Sequence, residues 1–242
     1  GLDVAISPRF AASVDAVAQT EGEDYTIDHE NGTVTFAVDP GEATATADFS
    51  IYEGFVPNNE TFYGTLDGNG YAITNLHINR PNDSYVGLLE ENDGTIRDLT
   101  FTDADVTGYY KVGVLVGEND EGTIWDVTVG GVVRGRDEDI GGLVGQNRED
   151  AIVSTVVSSV AVRGYSDVGG IAGSNDGTIL DSSSSGTATG QSGQVGGISG
   201  NSYGVIADSF ATGEITGSAE LGGLVGYCYQ CTIVNAYAEG DV

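Results

Sequence analysis

Lysine is almost missing from this chain. Lys111 stands alone among eight basic residues, against 37 acidic ones, for a formal net charge of −29. Such a balance excludes phosphate backbones and anionic membrane surfaces as electrostatic partners, so no nucleic acid is expected here. Long apolar runs are missing too: none reaches the roughly 18 residues of a membrane-crossing helix, and no membrane insertion is expected. Histidine occurs only as His29 and His77, and cysteine only as Cys228 and Cys231. Residues so scattered do not supply the converging ligands of a zinc site. His-Glu-x-x-His, a phosphate-binding loop and a Ser-His-Asp order are all lacking. Arg97, Arg134, Arg136 and Arg163 have no evident histidine or lysine partner, so the mixed groove of a polysaccharide-cleaving enzyme is not recognisable. The expectation is a non-enzymatic protein without a cofactor, bound Ca²⁺ or Na⁺ ions aside.

What the chain does have is glycine, 38 residues of it, and 39% apolar residues, enough to bury a core. The glycines fall in a repeat. Ile140-Gly-Gly-Leu-Val-Gly145 recurs as Val168 to Gly173, Val195 to Gly200 and Leu221 to Gly226, and in blurred form as Val112 to Gly117 and Tyr85 to Glu90. The starts at 85, 112, 140, 168, 195 and 221 are spaced by 27, 28, 28, 27 and 26 residues. Each unit continues through an Asn/Asp/Gly corner and a second strand such as Thr123-Ile-Trp-Asp126. A third apolar site closes it just before a glycine, as at Val106, Val133, Val162, Ala188 and Ile215. Three short strands per unit, with β-branched residues inside and glycine corners, predict a right-handed parallel β-helix of about seven turns. At ~4.8 Å per turn the rod is ~34 Å long. The fold class is all-β.

Residues 1–53 lie outside this repeat and read as a small β module, a cap or a strand-donating arm, ahead of a β-helix over 54–242. Asp24 to Phe36 alternates about Asn31-Gly32, a hairpin signal. Ala43 to Tyr52 reads as a strand, and Ala11 to Gln19 as a short helix. Asp67-Gly-Asn-Gly70 is a turn, not a calcium loop, because the remaining ligands are missing.

Val-Gly-Gly-Leu-Val-Gly-x-Asn, followed by Gly-Thr-Ile and a closing Thr-Gly, resembles the GLUG repeat. Phe62 to Ile78 is similar to the lead-in that precedes such arrays, so the likeness covers residues ~55–242. It implies a β-helical scaffold of the kind found in bacterial and archaeal surface proteins, adhesins and the non-catalytic part of IgA-specific metallopeptidases. The excess of acid over lysine also resembles the proteins of salt-in halophiles, haloarchaea above all. Salt at 1 M shortens the Debye length to roughly 3 Å and relieves self-repulsion. An ordinary acidic secreted protein is the alternative.

Aligned by isoleucine, the repeats show a column two residues on: Asn75, Asp98, Asp126, Ser154, Asp181, Asp208 and Asn235. An Asx side chain there accepts from backbone amides of its own corner. A structural ladder is the reading; the alternative is a cation site between Asp98 and Asp126 or between Asp181 and Asp208. Cys228 and Cys231 replace the usual corner and are expected to form a disulfide, with free thiols the runner-up. Asn31, Asn59 and Asn82 head glycosylation sequons, used only in an exported chain. Tyr63, Tyr71, Tyr85, Tyr109, Tyr110, Tyr165, Tyr203, Tyr227, Tyr229 and Tyr237 lie largely at corners or repeat starts, with several expected to be exposed. They suit either corner packing or contact with glycans or a second subunit.

Gly1 to Ile6 lacks the features of a signal peptide, so any leader is expected to be gone. The chain stops at Val242, within two residues of a repeat boundary. The expectation is an extracellular, high-salt surface protein that self-associates into a filament or layer. End-to-end contact is one route; donation of the extended Gly1–Phe10 is another. A monomeric glycan-binding adhesin module cut from a longer protein is the alternative, and a carbohydrate-active β-helix the second.

Overall fold

The computed structural model describes residues 61–242 throughout and, before them, the backbone of the strands Phe10–Val14, Val17–Ala18, Tyr25–Asp28, Thr33–Phe36 and Ala45–Ser50. Every regular element among these is a strand. The chain winds as a parallel β-solenoid whose turns stack in register. One wall is a seven-stranded sheet of Thr61–Phe62, Leu89–Asn92, Val116–Asn119, Val144–Asn147, Ala172–Asn175, Ser199–Ser202 and Val225–Cys228. A second wall carries the glycine motif as Ile140–Gly141, Val168–Gly169, Val195–Gly196 and Leu221–Gly222, continued by single bridges from Val86 to Val112 and from Val112 to Ile140. The first copy of the motif is therefore registered on Val86, one residue later than the sequence spacing places it.

The largest sheet takes the rest of each turn. Thr65–Asn79, Thr95–Thr107 and Thr123–Arg134 lie side by side in parallel, and later turns repeat them in shorter pieces. Ala45–Ser50, within the segment set apart by sequence, pairs in parallel with Thr65–Asn79, and Phe10–Val14 pairs antiparallel with Ala45–Ser50. The helix expected over Ala11–Gln19 is corrected: Phe10–Val14 and Val17–Ala18 are paired strands. The free backbone of a neighbouring strand outweighs the helix propensity of a few alanines. Phe10–Val14 is thus engaged on its own chain, while Gly1–Arg9 lies outside the described residues. Tyr25–Asp28 and Thr33–Phe36 form the expected antiparallel hairpin.

Burial follows from stacking. Ile96, Ile124, Val153, Ile179 and Ile206 succeed one another turn by turn, all fully buried. Val106, Val133, Val162, Ala188 and Ile215 form a second aliphatic column. The motif glycines are spaces for backbone. A Cβ on Gly141 would sit against the Val144 carbonyl, and one on Gly145 against the backbone of Lys111 and Val112 on the previous turn. The motif is a tight corner packed against the backbone of adjacent turns.

The first polar corner is held by a column that the sequence shows only as turn residues. Asn92, Asn119, Asn147 and Asn175 are completely buried. The amide of Asn92 donates to Asn119 Oδ1 at 2.7 Å, Asn119 to Asn147 at 2.9 Å, Asn147 to Asn175 at 2.9 Å and Asn175 to Ser202 Oγ at 3.2 Å. A primary amide is donor and acceptor at once, so identical side chains stacked one turn apart satisfy each other. The same amides reach corner carbonyls such as Gly122 O, at 3.0 Å from Asn119. Asn147→Ala strands a buried donor on Asn119 and a buried acceptor on Asn175. It is expected to cost about 2–4 kcal/mol, read by denaturant unfolding at constant high salt; a change below ~1 kcal/mol would deny the ladder its role.

Candidate functional site

Asp98, Asp126, Asp181, Asp208 and Asn235 all have left-handed backbone, with φ between 46° and 54°. Asn and Asp adopt this region most readily after glycine, because their short polar side chains bond locally. Asn235 also donates to Asp208 Oδ1 at 3.1 Å. Two members of the sequence-aligned column are corrected. Ser154 lies opposite Trp125 and Leu180, and the left-handed residue of that turn is its neighbour Thr155, φ 53°. The longer corner after Asn147 shifts the strand by one, burying Val153 and leaving Ile152 39% exposed. Asn75 lies in another column: Ile73 pairs with Phe101, not Ile96, because the strand carries an irregularity between Asp67 and Tyr71. Thr155 is β-branched in a region that penalises it. Thr155→Asn is therefore expected to stabilise the protein by about 1 kcal/mol, seen as a melting temperature raised by roughly 2–4 °C.

A second left-handed column runs just before the glycine motif, through Tyr85, Lys111, Asp139 and Asp167. Backbone bonds from Val86 to Lys111, Val112 to Asp139 and Ile140 to Asp167 link its turns. Lys111 and Asp139 are only 5% and 8% exposed. The Lys111 ammonium donates to Glu118 and lies 4.8 Å from the Tyr85 ring centre and 5.4 Å from that of Tyr110. Arg148 joins the group, 3.4 Å from Glu118 Oε1 and 2.8 Å from Asp120 Oδ1. Burial pulls the Lys111 pKa below its ordinary value, and the Asp139 carboxylate works against that. The ammonium is held by a carboxylate and two ring faces, the arrangement of an internal ion pair. Sequence reasoning missed this site. Its signal was that one lysine in 242 residues falls immediately before a repeat motif.

Asp139 and Asp167 follow on the next two turns. Burial, and the Asp167 charge after it, raise Asp139 to about 7; burial raises Asp167 to about 6. The folded protein therefore holds protons that the unfolded chain, with carboxyls near 3.8, has released. Stability from this pair is full below pH ~4 and falls as pH rises toward ~7. Asp139→Asn is expected to flatten that fall and to be more stable than the parent at pH 8 by roughly 2–4 kcal/mol. Melting curves from pH 5 to 8 at fixed high salt measure it; a parallel pair of curves would contradict the assignment.

Among the described residues, acidic oxygens converge at Glu91, Asp93 and Asp120, where one from each lies within 4.8 Å of the others. Burial and the Asp120 charge raise the Asp93 pKa, and its Oδ1 is buried without a hydrogen-bond partner. Oxygen donors of this kind suit Ca²⁺ or Na⁺, but three are fewer than the 6–8 that Ca²⁺ takes, and Arg148 already holds Asp120. In the first left-handed column, Asp98 lies 3.6 Å from Arg97. Cys228 and Cys231 are joined by a disulfide across a corner, Cα to Cα 5.4 Å. Asn82 is exposed and accepts from Arg136 at 3.3 Å, whereas Asn31 and Asn59 lie outside the described residues. Tyr203 and Tyr229 meet edge to face at 5.8 Å, and Phe210 stacks on Tyr237 at 5.2 Å.

These features define a parallel β-solenoid whose polar columns are built mainly to hold adjacent turns. No family model matches the chain. Among known proteins, 83 residues are 43% identical to halomucin of Haloquadratum walsbyi, covering 33% of this chain and 1% of that protein. A further 116 residues are 34% identical to a protein of Evansella cellulosilytica provisionally described as a Gly-rich membrane protein, covering 45% of this chain and 12% of the other. The chain thus spans a small part of the length of either relative. In three dimensions it is similar to the crystal structure of a provisionally described immunoglobulin A1 protease from Bacteroides ovatus. The TM-score is 0.59 at 19% identity, over 78% of this chain and 71% of that one. At that identity the likeness concerns the fold.

Proposed function

We propose that this chain is a rod-forming structural segment of a halophile cell-surface protein of GLUG-like type, acting in adhesion or assembly rather than catalysis. The observation that carries this reading is the way each turn is occupied in holding the next. Aliphatic columns fill the interior, the asparagine ladder fixes one corner, and left-handed Asx residues and a buried lysine fix others. The likeness to halomucin supports an extracellular, high-salt setting, and so does the charge of −29 on a chain with a single lysine. No helix among the described residues is long and apolar enough to cross a membrane. The finer form of the reading is filament or layer formation by end-to-end stacking, since a further turn from any source meets the pattern it would meet inside the rod. Strand donation by Gly1–Phe10 is the other route; of that segment Gly1–Arg9 lies outside the described residues.

Salt separates this reading from that of an ordinary acidic protein. Lowering KCl from multimolar to tens of millimolar lengthens the Debye length from roughly 3 Å or less to over 10 Å and restores repulsion among 37 carboxylates. The melting temperature is expected to fall steeply, with loss of β signal at the low end. Melting that is unchanged across this range would overturn the halophile assignment. Electron micrographs at high salt test assembly: rods longer than one chain support it, and uniform monomers favour the adhesin module.

A further inference from the structure

On one corner of the solenoid exposed arginines and tyrosines gather, with Asp105, Asp137 and Glu138 among them. Tyr109, Arg136 and Tyr165 each follow the glycine that closes a turn, Gly108, Gly135 and Gly164 in succession. They lie on three consecutive turns and are all exposed, the two tyrosines by 42% and 48%. Arg134 and Arg163 stand beside them in directly paired positions of adjacent strands, both exposed. The strip therefore holds three of the eight basic residues of a strongly acidic chain. Two like charges stacked one turn apart are costly unless something between or above them is anionic. Arg134 has Asp105. Among the described residues Arg163 has no ion pair and Arg136 touches only the neutral Asn82. The nearby Asp137 is engaged by the Tyr109 hydroxyl, whose pKa that hydrogen bond raises.

We infer that this Tyr-Arg-Tyr corner, with Arg134 and Arg163, is a docking strip for a linear acidic polysaccharide bearing carboxylates. Guanidinium forks take carboxylates in a bidentate geometry that works at contact range and so survives salt that removes long-range attraction. Exposed tyrosine faces on either side of Arg136 suit the flat, C–H-rich faces of sugar rings. The strip runs along the rod for ~10 Å, two turn spacings, which favours a linear ligand. A nucleic acid strand is a poorer fit. It brings a phosphate every ~3.4 Å, more negative charge than three arginines on so acidic a body can meet. The inference does not depend on filament formation, since a monomeric module would carry the same strip.

The test is calorimetric titration of the whole chain in multimolar KCl with alginate, and with dextran as the neutral polymer. Alginate is expected to bind and dextran to bind at least about tenfold more weakly, the value of one lost charged hydrogen bond. Arg163→Gln and Tyr165→Ala are each expected to weaken alginate about tenfold with melting unchanged, because neither side chain is buried. Tyr203→Ala, on a different corner, is expected to have no effect. Absence of alginate binding, or binding that the strip variants leave intact, overturns the proposal. Concentration-dependent dimers abolished by Arg163→Gln, without alginate binding, would assign the strip to a second copy of this chain. Failure of either kind in a protein that still requires salt leaves the structural reading standing and removes only this one.

Discussion

In a parallel solenoid every side chain lies about 4.8 Å from its own equivalent on the next turn, and this requirement that like rests on like selects most of the residues seen here. Aliphatic side chains tolerate it without limit, which is why Ile96 to Ile206 can run unbroken through the core. Asparagine tolerates it because its amide is self-complementary, and the chain from Asn92 to Ser202 uses that property in full. Ionised groups do not tolerate it. Where they enter a buried column they must find an opposite charge, as Lys111 does at Glu118, or give up charge, as Asp139 above Asp167 does by holding its proton to about 7.

The same constraint explains how much of the molecule was legible beforehand. Glycine at a corner serves only one purpose, so six copies of one motif disclosed the period and the stacking of turns, while the later turns from Val168 and Val195 each divide into five short strands where three were expected. Asparagine was harder to read because it serves two. It forms turns within a turn of the coil and hydrogen bonds between turns, and the first property alone accounts for Asn119-Asp-Glu-Gly122. Register was lost where corners change length. Ile152 fits the isoleucine pattern better than Val153, yet the extended corner after Asn147 turns Val153 inward. At Asn75 the interruption between Asp67 and Tyr71 moved the strand out of step. A period counted in residues assumes equal corners; the backbone equalises the strands and lets the corners differ.

Lys111 shows what a count of charges leaves out. As composition, one lysine among 37 acids describes a surface that avoids hydrated ammonium groups. In the fold that lysine is not on the surface at all. Its ammonium lies between two tyrosine rings and Glu118, where a strongly hydrated cation would be expensive unless paired.

If stacking fixes the interior and most corners, then a residue that departs from its column carries information that a conforming one does not. Thr155 departs and is a strained backbone. The gathering of Arg134, Arg136 and Arg163 beside Tyr109 and Tyr165 departs without an evident internal reason, since Arg134 and Arg163 are paired across adjacent turns and Arg163 has no ion pair among the described residues. Multimolar salt lowers the cost of keeping such a strip but also removes its long-range attraction. What remains useful under those conditions is contact chemistry, and forked guanidinium groups beside aromatic faces provide it. The acidic remainder of the rod then stays soluble and unattractive to polyanions, which confines their contact to this one corner.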